Sequence, residues 1–76
     1  MTAEAIASWL VDYLAKELAV APETIDRRAA LTDLGLGSRQ AVILAGDLED
    51  WLGRELDATV VYEHPSVEAL AAFLAA

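Results

Sequence analysis

The most informative part of the sequence is Leu31-Thr32-Asp33-Leu34-Gly35-Leu36-Gly37-Ser38-Arg39-Gln40-Ala41-Val42. Two glycines permit backbone angles that residues with a Cβ resist, so the chain can turn sharply just before Ser38. A helix is predicted to open at this serine. A hydroxyl in that position is exposed and lies beside free backbone N–H groups and the positive end of the helix dipole. Such a setting suits an attached phosphate.

The helix that follows the junction is predicted over Ser38 to Leu52, with Gly53 as its stop. Its buried face carries apolar residues at three- and four-residue spacings, namely Ala41, Leu44, Ala45, Leu48 and Leu52. The opposite face is mostly polar and collects Arg39, Ile43, Gly46, Asp47 and Asp50. An isoleucine within such a face is unusual for a purely solvated surface, which indicates a contact site.

An amphipathic helix precedes the junction, between Thr2 as its N-cap and Leu18. Apolar residues recur on it every four positions, at Ile6, Leu10, Leu14 and Leu18. Trp9 and Tyr13 widen the apolar stripe, and Pro22 ends the pattern. The segment from Val20 to Gly37 lacks a sustained period. It is predicted to be a structured loop with one short helical turn at Leu31 to Leu34, held to the core by Ile25, Leu31 and Leu34.

The C-terminal part of the chain contains a short element and a last helix. Thr59 to Glu63 fits either a helical turn or a short strand, and His64 closes it in a structural role. Ser66 is predicted to cap the last helix, whose buried stripe is Val67, Leu70, Phe73 and Leu74. The chain is therefore predicted to be all-α, a bundle of three long helices plus one short helix. The predicted core is Ile6, Leu10, Leu14, Leu34, Leu44, Leu48, Leu52, Leu70 and Leu74.

Composition limits the possible functions of the chain. Seventy-six residues suffice for one domain, assigned to 1–76, and the absence of cysteine leaves no disulfide or thiolate metal site. The net charge of −8 disfavours nucleic acid and favours basic protein surfaces, although it also serves solubility alone. Charged residues within the first helix exclude a signal peptide core and a membrane span. We expect a cytoplasmic chain that is monomeric when isolated, and because the last helix runs to Ala76 we expect a domain cut from a longer protein.

Catalysis by the chain itself is disfavoured by its residue patterns. Ser38 is not set in a Gly-x-Ser-x-Gly elbow after a strand, as a hydrolase nucleophile would be. His64 has no clustered partners that would make a triad or a metal site. The acidic residues Asp47, Glu49 and Asp50 point in different directions on a helix and fit a solvated, partner-facing charge cluster better than an acid–base pair.

At this point the sequence resembles the acyl carrier protein family, whose signature is Gly-Leu-Asp-Ser-Leu with the serine esterified to phosphopantetheine. It stands here as Gly35-Leu36-Gly37-Ser38-Arg39. The resemblance extends to Ile25-Asp26 in the first loop and to Thr59-Val60-Val61-Tyr62-Glu63-His64-Pro65-Ser66 before the last helix. Two positions depart from the signature, because Gly37 replaces the aspartate and Arg39 replaces the leucine. The form Gly-Leu-x-Ser-Arg-x-Ala-Val is similar to a polyketide-synthase subgroup found beside fatty acyl-AMP ligases.

The resemblance implies a non-catalytic carrier that holds acyl intermediates as thioesters on 4′-phosphopantetheine attached to Ser38. It implies as partners a phosphopantetheinyl transferase, an acyl-loading enzyme such as a fatty acyl-AMP ligase, and ketosynthase or other domains of polyketide or fatty acid synthesis. The partner-facing residues are expected to be Arg39, Val42, Ile43, Asp47, Glu49, Asp50 and Glu63. From the residues alone two other hypotheses stay open. Ser38 is a plain N-cap in an unmodified acidic interaction module, or the chain is a small regulatory enzyme, which so small a bundle fits poorly.

Overall fold

The computed structural model describes residues 1–76 and consists of helices and turns without any strand. Three longer helices and one short one follow each other along the chain, which confirms the predicted all-α bundle. They are α1 (Ala3–Leu18), α2 (Ser38–Leu52), α3 (Val60–Glu63) and α4 (Val67–Ala75). None of them combines the length and the apolarity that a membrane crossing requires.

The helix ends follow local chemistry. The hydroxyl of Thr2 accepts a hydrogen bond from the Ala5 N–H at 3.1 Å, and the hydroxyl of Ser66 accepts one from the Ala69 N–H at the same distance. Gly53 ends α2 in the left-handed conformation with φ of 70°, where a residue without a Cβ is favoured. These three predicted boundaries are confirmed. Helix α1 ends earlier than Pro22, because Ala19 adopts a left-handed φ of 55°.

The core is a single cluster of aliphatic side chains from all four helices and the long loop. Its fully buried members are Ile6, Leu10, Leu14, Leu44, Leu48, Val67 and Leu70. Three residues that were predicted to be buried are more exposed than expected. Leu34 and Leu52 are only partly buried against the cluster, and Phe73 is 47% exposed. The stripe of α4 that faces the core instead uses Val67, Leu70, Ala71 and Leu74, so Phe73 lies at its edge.

The long loop between α1 and α2 is held against the bundle at several points. Ile25, Leu31 and Leu36 are buried, and the Leu31 N–H donates to the Pro65 carbonyl at 2.8 Å. The loop contains a 3-10 turn at Pro22–Thr24 that the sequence pattern did not predict. The predicted helical turn at Leu31 to Leu34 is present as a run of hydrogen-bonded turns, in which the Leu34 N–H donates to the Ala30 carbonyl at 3.2 Å, and Gly35 follows with a φ of 103°. The loop is thus held against the core up to the residue before α2 begins.

Ion pairs fasten the outer side of this loop. Arg27 Nη1 lies 2.7 Å from Glu4 Oε2 on α1, and Arg28 Nε lies 3.2 Å from Glu68 Oε2 on α4. The hydrogen bond and the charge of Arg27 hold the pKa of Glu4 below its ordinary value. Both pairs are solvent-exposed, so their contribution is small and depends on salt.

Candidate functional site

Ser38 lies at the exposed start of α2. The residue that caps this helix is Gly37, in an extended conformation with φ of −81° and ψ of 167°, and Ser38 is the first helical residue. The interpretation of Ser38 as a plain N-cap is therefore wrong, since its side chain accepts no capping hydrogen bond. Its hydroxyl is unused by the fold and available for chemistry.

The backbone around Ser38 also leaves donors free. The first hydrogen bond of α2 runs from the Ala41 N–H to the Gly37 carbonyl at 2.9 Å, so the N–H groups of residues 38–40 have no acceptor within the chain. Gln40 Oε1 accepts from the Gly37 N–H at 2.8 Å, which fixes the turn before the helix. No acidic side chain stands in the first turn. The helix start therefore presents uncompensated positive potential next to the hydroxyl.

A cavity of about 150 Å³ opens beside Ser38. It lies between the end of the long loop, the start of α2 and the α3 segment. Its lining is mainly apolar and consists of Leu31, Thr32, Leu36, Gly37, Ser38, Ala41, Val61, Tyr62 and Pro65. Sequence reasoning did not assign α3 to this site, because four residues are too few to show a period. The available signal was the resemblance of the segment before Ser66 to the family.

An exposed row runs along α2 away from Ser38. Arg39, Ile43, Asp47 and Asp50 follow one another at helical spacing and are all exposed. Ile43 is 48% exposed and its neighbour Val42 is 54% exposed, as the polar pattern around them predicted. The row changes along its length from a cation through an apolar patch to two carboxylates.

The acidic side chains on this side of the molecule differ in whether they are hydrogen-bonded within the chain. Asp50 makes no hydrogen bond or ion pair, whereas Asp47 Oδ2 accepts from the Tyr13 hydroxyl at 2.7 Å and Glu63 Oε1 from the Thr59 hydroxyl at 3.1 Å. Glu49 is half-buried, and its Oε2 accepts from the Leu56 N–H at 2.7 Å. Glu49 thus braces the loop after α2, and among the acids expected to face a partner it is the least suited to that role.

Aromatic stacking fastens the far end of α2 to α1. The rings of Trp9 and Trp51 lie 5.0 Å apart and nearly parallel, and the ring of Tyr13 lies 5.2 Å from that of Trp9. Burial, followed by the hydrogen bond to Asp47, raises the pKa of Tyr13 well above its ordinary value. Trp9 is thus partly buried against the core, and Trp51 stacks on it at the surface.

His64 is placed by packing as well. Its ring stacks on that of Phe73 at 4.0 Å, and its backbone N–H donates to the Val60 carbonyl at 3.0 Å, which closes α3. It makes no side-chain hydrogen bond, with Ser38 or any other residue. No group of three or more histidine, aspartate and glutamate side chains converges anywhere in the chain.

The site fits a covalently attached phosphate-bearing arm. The acceptor hydroxyl is exposed, the neighbouring N–H groups and Arg39 suit an anion, and the apolar cavity offers a surface to the chain that follows it.

Comparison with known proteins agrees with this geometry. The family model described as "phosphopantetheine attachment site" matches residues 8–74. In Mycobacterium tuberculosis, one component of the phenolphthiocerol/phthiocerol polyketide synthase is 46% identical over 68 residues, which are 90% of this chain and 4% of that component. The acyl carrier protein TtuC of Teredinibacter turnerae is 33% identical over 76 residues, which are 100% of this chain and 87% of that protein.

Two solved structures share the fold closely. An acyl carrier protein from Anabaena, described as having a variant phosphopantetheinylation-site sequence, superposes with a TM-score of 0.92 at 39% identity and covers 99% of this chain and 85% of its own. A free-standing peptidyl carrier protein from Acinetobacter baumannii gives a TM-score of 0.90 at 37% identity, with 96% and 91% covered. The agreement spans all the helices and the long loop.

Proposed function

Because this chain belongs to the family of phosphopantetheine-binding carrier domains, we propose that Ser38 is the residue that bears the arm. Membership in the family rules out the alternative of an unmodified interaction module. Among the serines of the chain, Ser38 is chosen because of its position. It is an exposed hydroxyl without a hydrogen bond, at the free start of α2 and at the mouth of the apolar cavity. Ser66 is occupied as a cap, and Ser8 lies in the middle of α1.

Attachment is a phosphoryl transfer to Ser38 Oγ. This oxygen forms a bond to the phosphorus of the phosphopantetheine half of coenzyme A, the pyrophosphate bond breaks, and 3′,5′-ADP leaves. The hydroxyl proton passes to a base of the transferase, because the side chains around Ser38 include no histidine or carboxylate hydrogen-bonded to it. When bound, the arm supplies a terminal thiol that holds an acyl group as a thioester. The domain itself contributes proximity, since tethering raises the concentration of the acyl group at a partner's active site.

The test of attachment is the intact mass after incubation with a broad-specificity phosphopantetheinyl transferase and coenzyme A. We expect one phosphopantetheinyl group on the wild type and none on Ser38→Ala. Ser8→Ala is the matched control, because it removes another exposed helical hydroxyl and should be modified like the wild type. Since the Ser38 side chain makes no hydrogen bond, Ser38→Ala should change the free energy of unfolding by less than about 0.5 kcal/mol. A group that still appears on Ser38→Ala would exclude this serine as the site.

The proposed partners are enzymes of polyketide or fatty acid synthesis in the cytoplasm, and the domain itself is non-catalytic. The chain spans 4% of the mycobacterial synthase component that it matches, so the surrounding activities are part of the proposal. The proposal of these partners is supported by the exposed row on α2. Val42 and Ile43 offer a small apolar contact near the arm, and Asp47 and Asp50 offer carboxylates to a basic surface, with Glu63 on α3 as a further exposed acid. Exposed charges of this kind favour fast, transient encounters over tight binding.

Within this class of partner we propose a fatty acyl-AMP ligase as the loading enzyme. The support is the Arg39 and Ile43 pair, because these positions are leucine and glutamate in the usual carrier. A partner built for the usual face would meet a repulsive cation at Arg39 and no carboxylate at Ile43. The ligase would transfer the acyl group from acyl-AMP to the thiol of the arm, with release of AMP.

Loading by a ligase of this class, followed by mass shift over time, tests the proposal. We expect Arg39→Leu combined with Ile43→Glu to lower the loading rate several-fold at low salt, with a smaller effect at high salt. Ile43→Ala alone removes the apolar contact without changing any charge and so separates it from the charge of Arg39. Arg28→Leu is the control, since it removes an exposed arginine on another surface. Equal rates for the double variant and the wild type would show that this face does not select the ligase.

A further inference from the structure

The acceptor serine lies in a short stretch of chain between two buried residues. Leu36 on one side is 5% exposed, Ala41 on the other side is 3% exposed, and both belong to the core cluster. Of the four residues between them three are exposed, and only Gln40 is half-buried. Core packing therefore fixes the two ends of this stretch but does not by itself fix the residues within it.

The backbone of this stretch has few restraints of its own. Gly35, just before it, takes a φ of 103°, and Gly37 within it has no Cβ to restrict its backbone angles. The N–H groups of residues 38–40 have no acceptor within the chain. The hydroxyl of Ser38 is thus accessible, but its direction depends on whatever else holds the turn.

Gln40 supplies such a restraint. Its Oε1 accepts the hydrogen bond of the Gly37 N–H at 2.8 Å, so that the bond spans the serine. Helices α1 and α4 are held at their starts in the opposite sense, because the hydroxyls of Thr2 and Ser66 accept from N–H groups three residues later. A glycine cap has no such hydroxyl, and Gln40 closes the same three-residue span from inside α2.

We propose that Gln40 is a positioning residue for the modification of Ser38, which it holds in one direction through its bond to the Gly37 backbone. This inference rests on the proposed attachment at Ser38. Phosphoryl transfer requires Ser38 Oγ to approach the phosphorus in line with the leaving group, so a hydroxyl with a fixed direction reacts faster than one that samples many. Gln40 makes no hydrogen bond with the serine hydroxyl itself.

The experiment measures kcat/KM of a broad-specificity phosphopantetheinyl transferase for this chain by intact mass over time, with coenzyme A in excess. Gln40→Met keeps the length of the side chain and removes the acceptor oxygen. We expect it to lower kcat/KM about threefold to tenfold, because the competent turn becomes less populated. Gln40→Glu keeps an acceptor and removes the amide donor, and its kcat/KM should stay within about twofold of the wild type.

A matched control separates positioning from stability. Thr2→Ala removes a hydrogen bond of the same span at the start of another helix, so it should lower the melting temperature about as much as Gln40→Met and leave kcat/KM unchanged. Hydrogen exchange of the Gly37 amide gives a second readout. It should be faster in Gln40→Met than in the wild type, and as slow as the wild type in Gln40→Glu.

A cap placed on the other side of the turn should replace the glutamine. Gly37→Asn combined with Gln40→Met lets the new side chain accept from an N–H of the first turn, as Thr2 does in α1. We expect the double variant to regain most of the kcat/KM that Gln40→Met loses. A double variant as slow as Gln40→Met would contradict a role through the turn.

Three other results would overturn the role of Gln40 and leave attachment intact. The first is an unchanged kcat/KM in Gln40→Met. The second is an equal loss in Gln40→Met and Gln40→Glu, which would assign the effect to a contact of the amide group with the transferase. The third is an equal loss in Gln40→Met and Thr2→Ala, which would assign it to stability. A wild type that takes up no group would overturn attachment itself.

Discussion

Toward its C-terminal end, the closed end, α2 is held by three stacking or hydrogen-bonding side-chain contacts to other segments, whereas its N-terminal end, the open end, makes none. Trp51 stacks on Trp9, Asp47 accepts from Tyr13, and Glu49 braces the following loop. At the other end the Ser38 hydroxyl, the Arg39 guanidinium and the first N–H groups of the helix have no partner in the chain. Both ends belong to one helix and share one buried face.

The two ends of α2 therefore serve different purposes. Contacts toward the C-terminal end stabilise the fold, and groups at the N-terminal end are available for modification. Near the closed end Asp47 and Glu49 are hydrogen-bonded within the chain and help to hold the helix, whereas Asp50 is exposed and makes no such bond. Polar groups at the open end are unsatisfied in the isolated chain, which is expected where a covalent group will be added. A helix fixed at one end and along its core face can hold the acceptor serine in place without touching its hydroxyl.

The largest expected effect lies in the middle of α2, where both ends depend on the core. Leu48 is 0% exposed, and Leu48→Ala should cost about 2 to 5 kcal/mol of unfolding free energy through lost burial and the cavity left behind. Val42→Ala is the control on the same helix, because Val42 is 54% exposed and its truncation should cost less than about 0.5 kcal/mol. Urea denaturation measures both. Equal losses would show that the buried face of α2 has been misassigned.

The next largest effect is expected from the stacking of Trp51 on Trp9, which holds the C-terminal end of α2. Trp51→Ala should cost about 1.5 kcal/mol, because the ring stacks on Trp9 and remains 37% exposed. A double-mutant cycle with Trp9→Ala should give a coupling energy of about 1 kcal/mol. Ser38 lies about 20 Å away along the helix axis, so its modification rate should not change in folded protein. A slower modification in Trp51→Ala would mean that the two ends are not independent.

Removal of the Tyr13 hydroxyl should have a smaller effect that depends on pH. Tyr13→Phe removes the hydrogen bond to Asp47 and should cost about 1 kcal/mol near neutral pH. Burial and the bond to Asp47 raise the pKa of Tyr13 in the folded state, so its contribution is complete below pH of about 10 and is lost as the pH rises further. The unfolding free energy of the wild type should therefore fall above that pH more steeply than that of Tyr13→Phe. Tyr62→Phe, which removes a hydroxyl without a hydrogen bond, should keep the slope of the wild type.

The sequence predicted best the features that depend on neighbouring residues. The caps Thr2 and Ser66 and the stop at Gly53 were found because side-chain chemistry and glycine geometry act within one helical turn. The prediction for Ser38 was one position from the observed cap. Serine is favoured at an N-cap, but here the backbone of Gly37 is extended and that of Ser38 is already helical, which residue preference alone does not determine.

Features that depend on packing between distant segments were missed. Phe73 was predicted to lie in the buried stripe of α4, yet the face that packs on the core consists of Val67, Leu70, Ala71 and Leu74 and leaves Phe73 at its edge. Tyr62 and Val61 line the cavity beside Ser38 only because α3 packs near the start of α2. Leu36 stands between two glycines without any period, and its burial is a property of the loop as a whole.

The smallest expected effect comes from closing the open end with a cap. Gly37 has backbone angles that any residue can adopt, and a Cβ there would meet only Gln40 Oε1 at 3.4 Å, the end of a flexible side chain. In Gly37→Asp the new carboxylate can accept from a free N–H of the first turn, so the unmodified chain should gain about 0.3 kcal/mol. Gly37→Asn is the matched control, because it supplies a similar cap without the charge.

After modification we expect Gly37→Asp and Gly37→Asn to differ in unfolding free energy. The aspartate would repel the phosphodiester on Ser38 and compete with it for the same N–H groups, so modification should lower the unfolding free energy of Gly37→Asp relative to its effect on the wild type. Asparagine competes for the N–H groups without charge repulsion, so the relative loss on modification should be smaller in Gly37→Asn. Urea denaturation of the modified and unmodified forms measures the difference for each variant. If modification changes the unfolding free energy equally in all three chains, the start of α2 does not bind the phosphate, and its open backbone serves only access to Ser38.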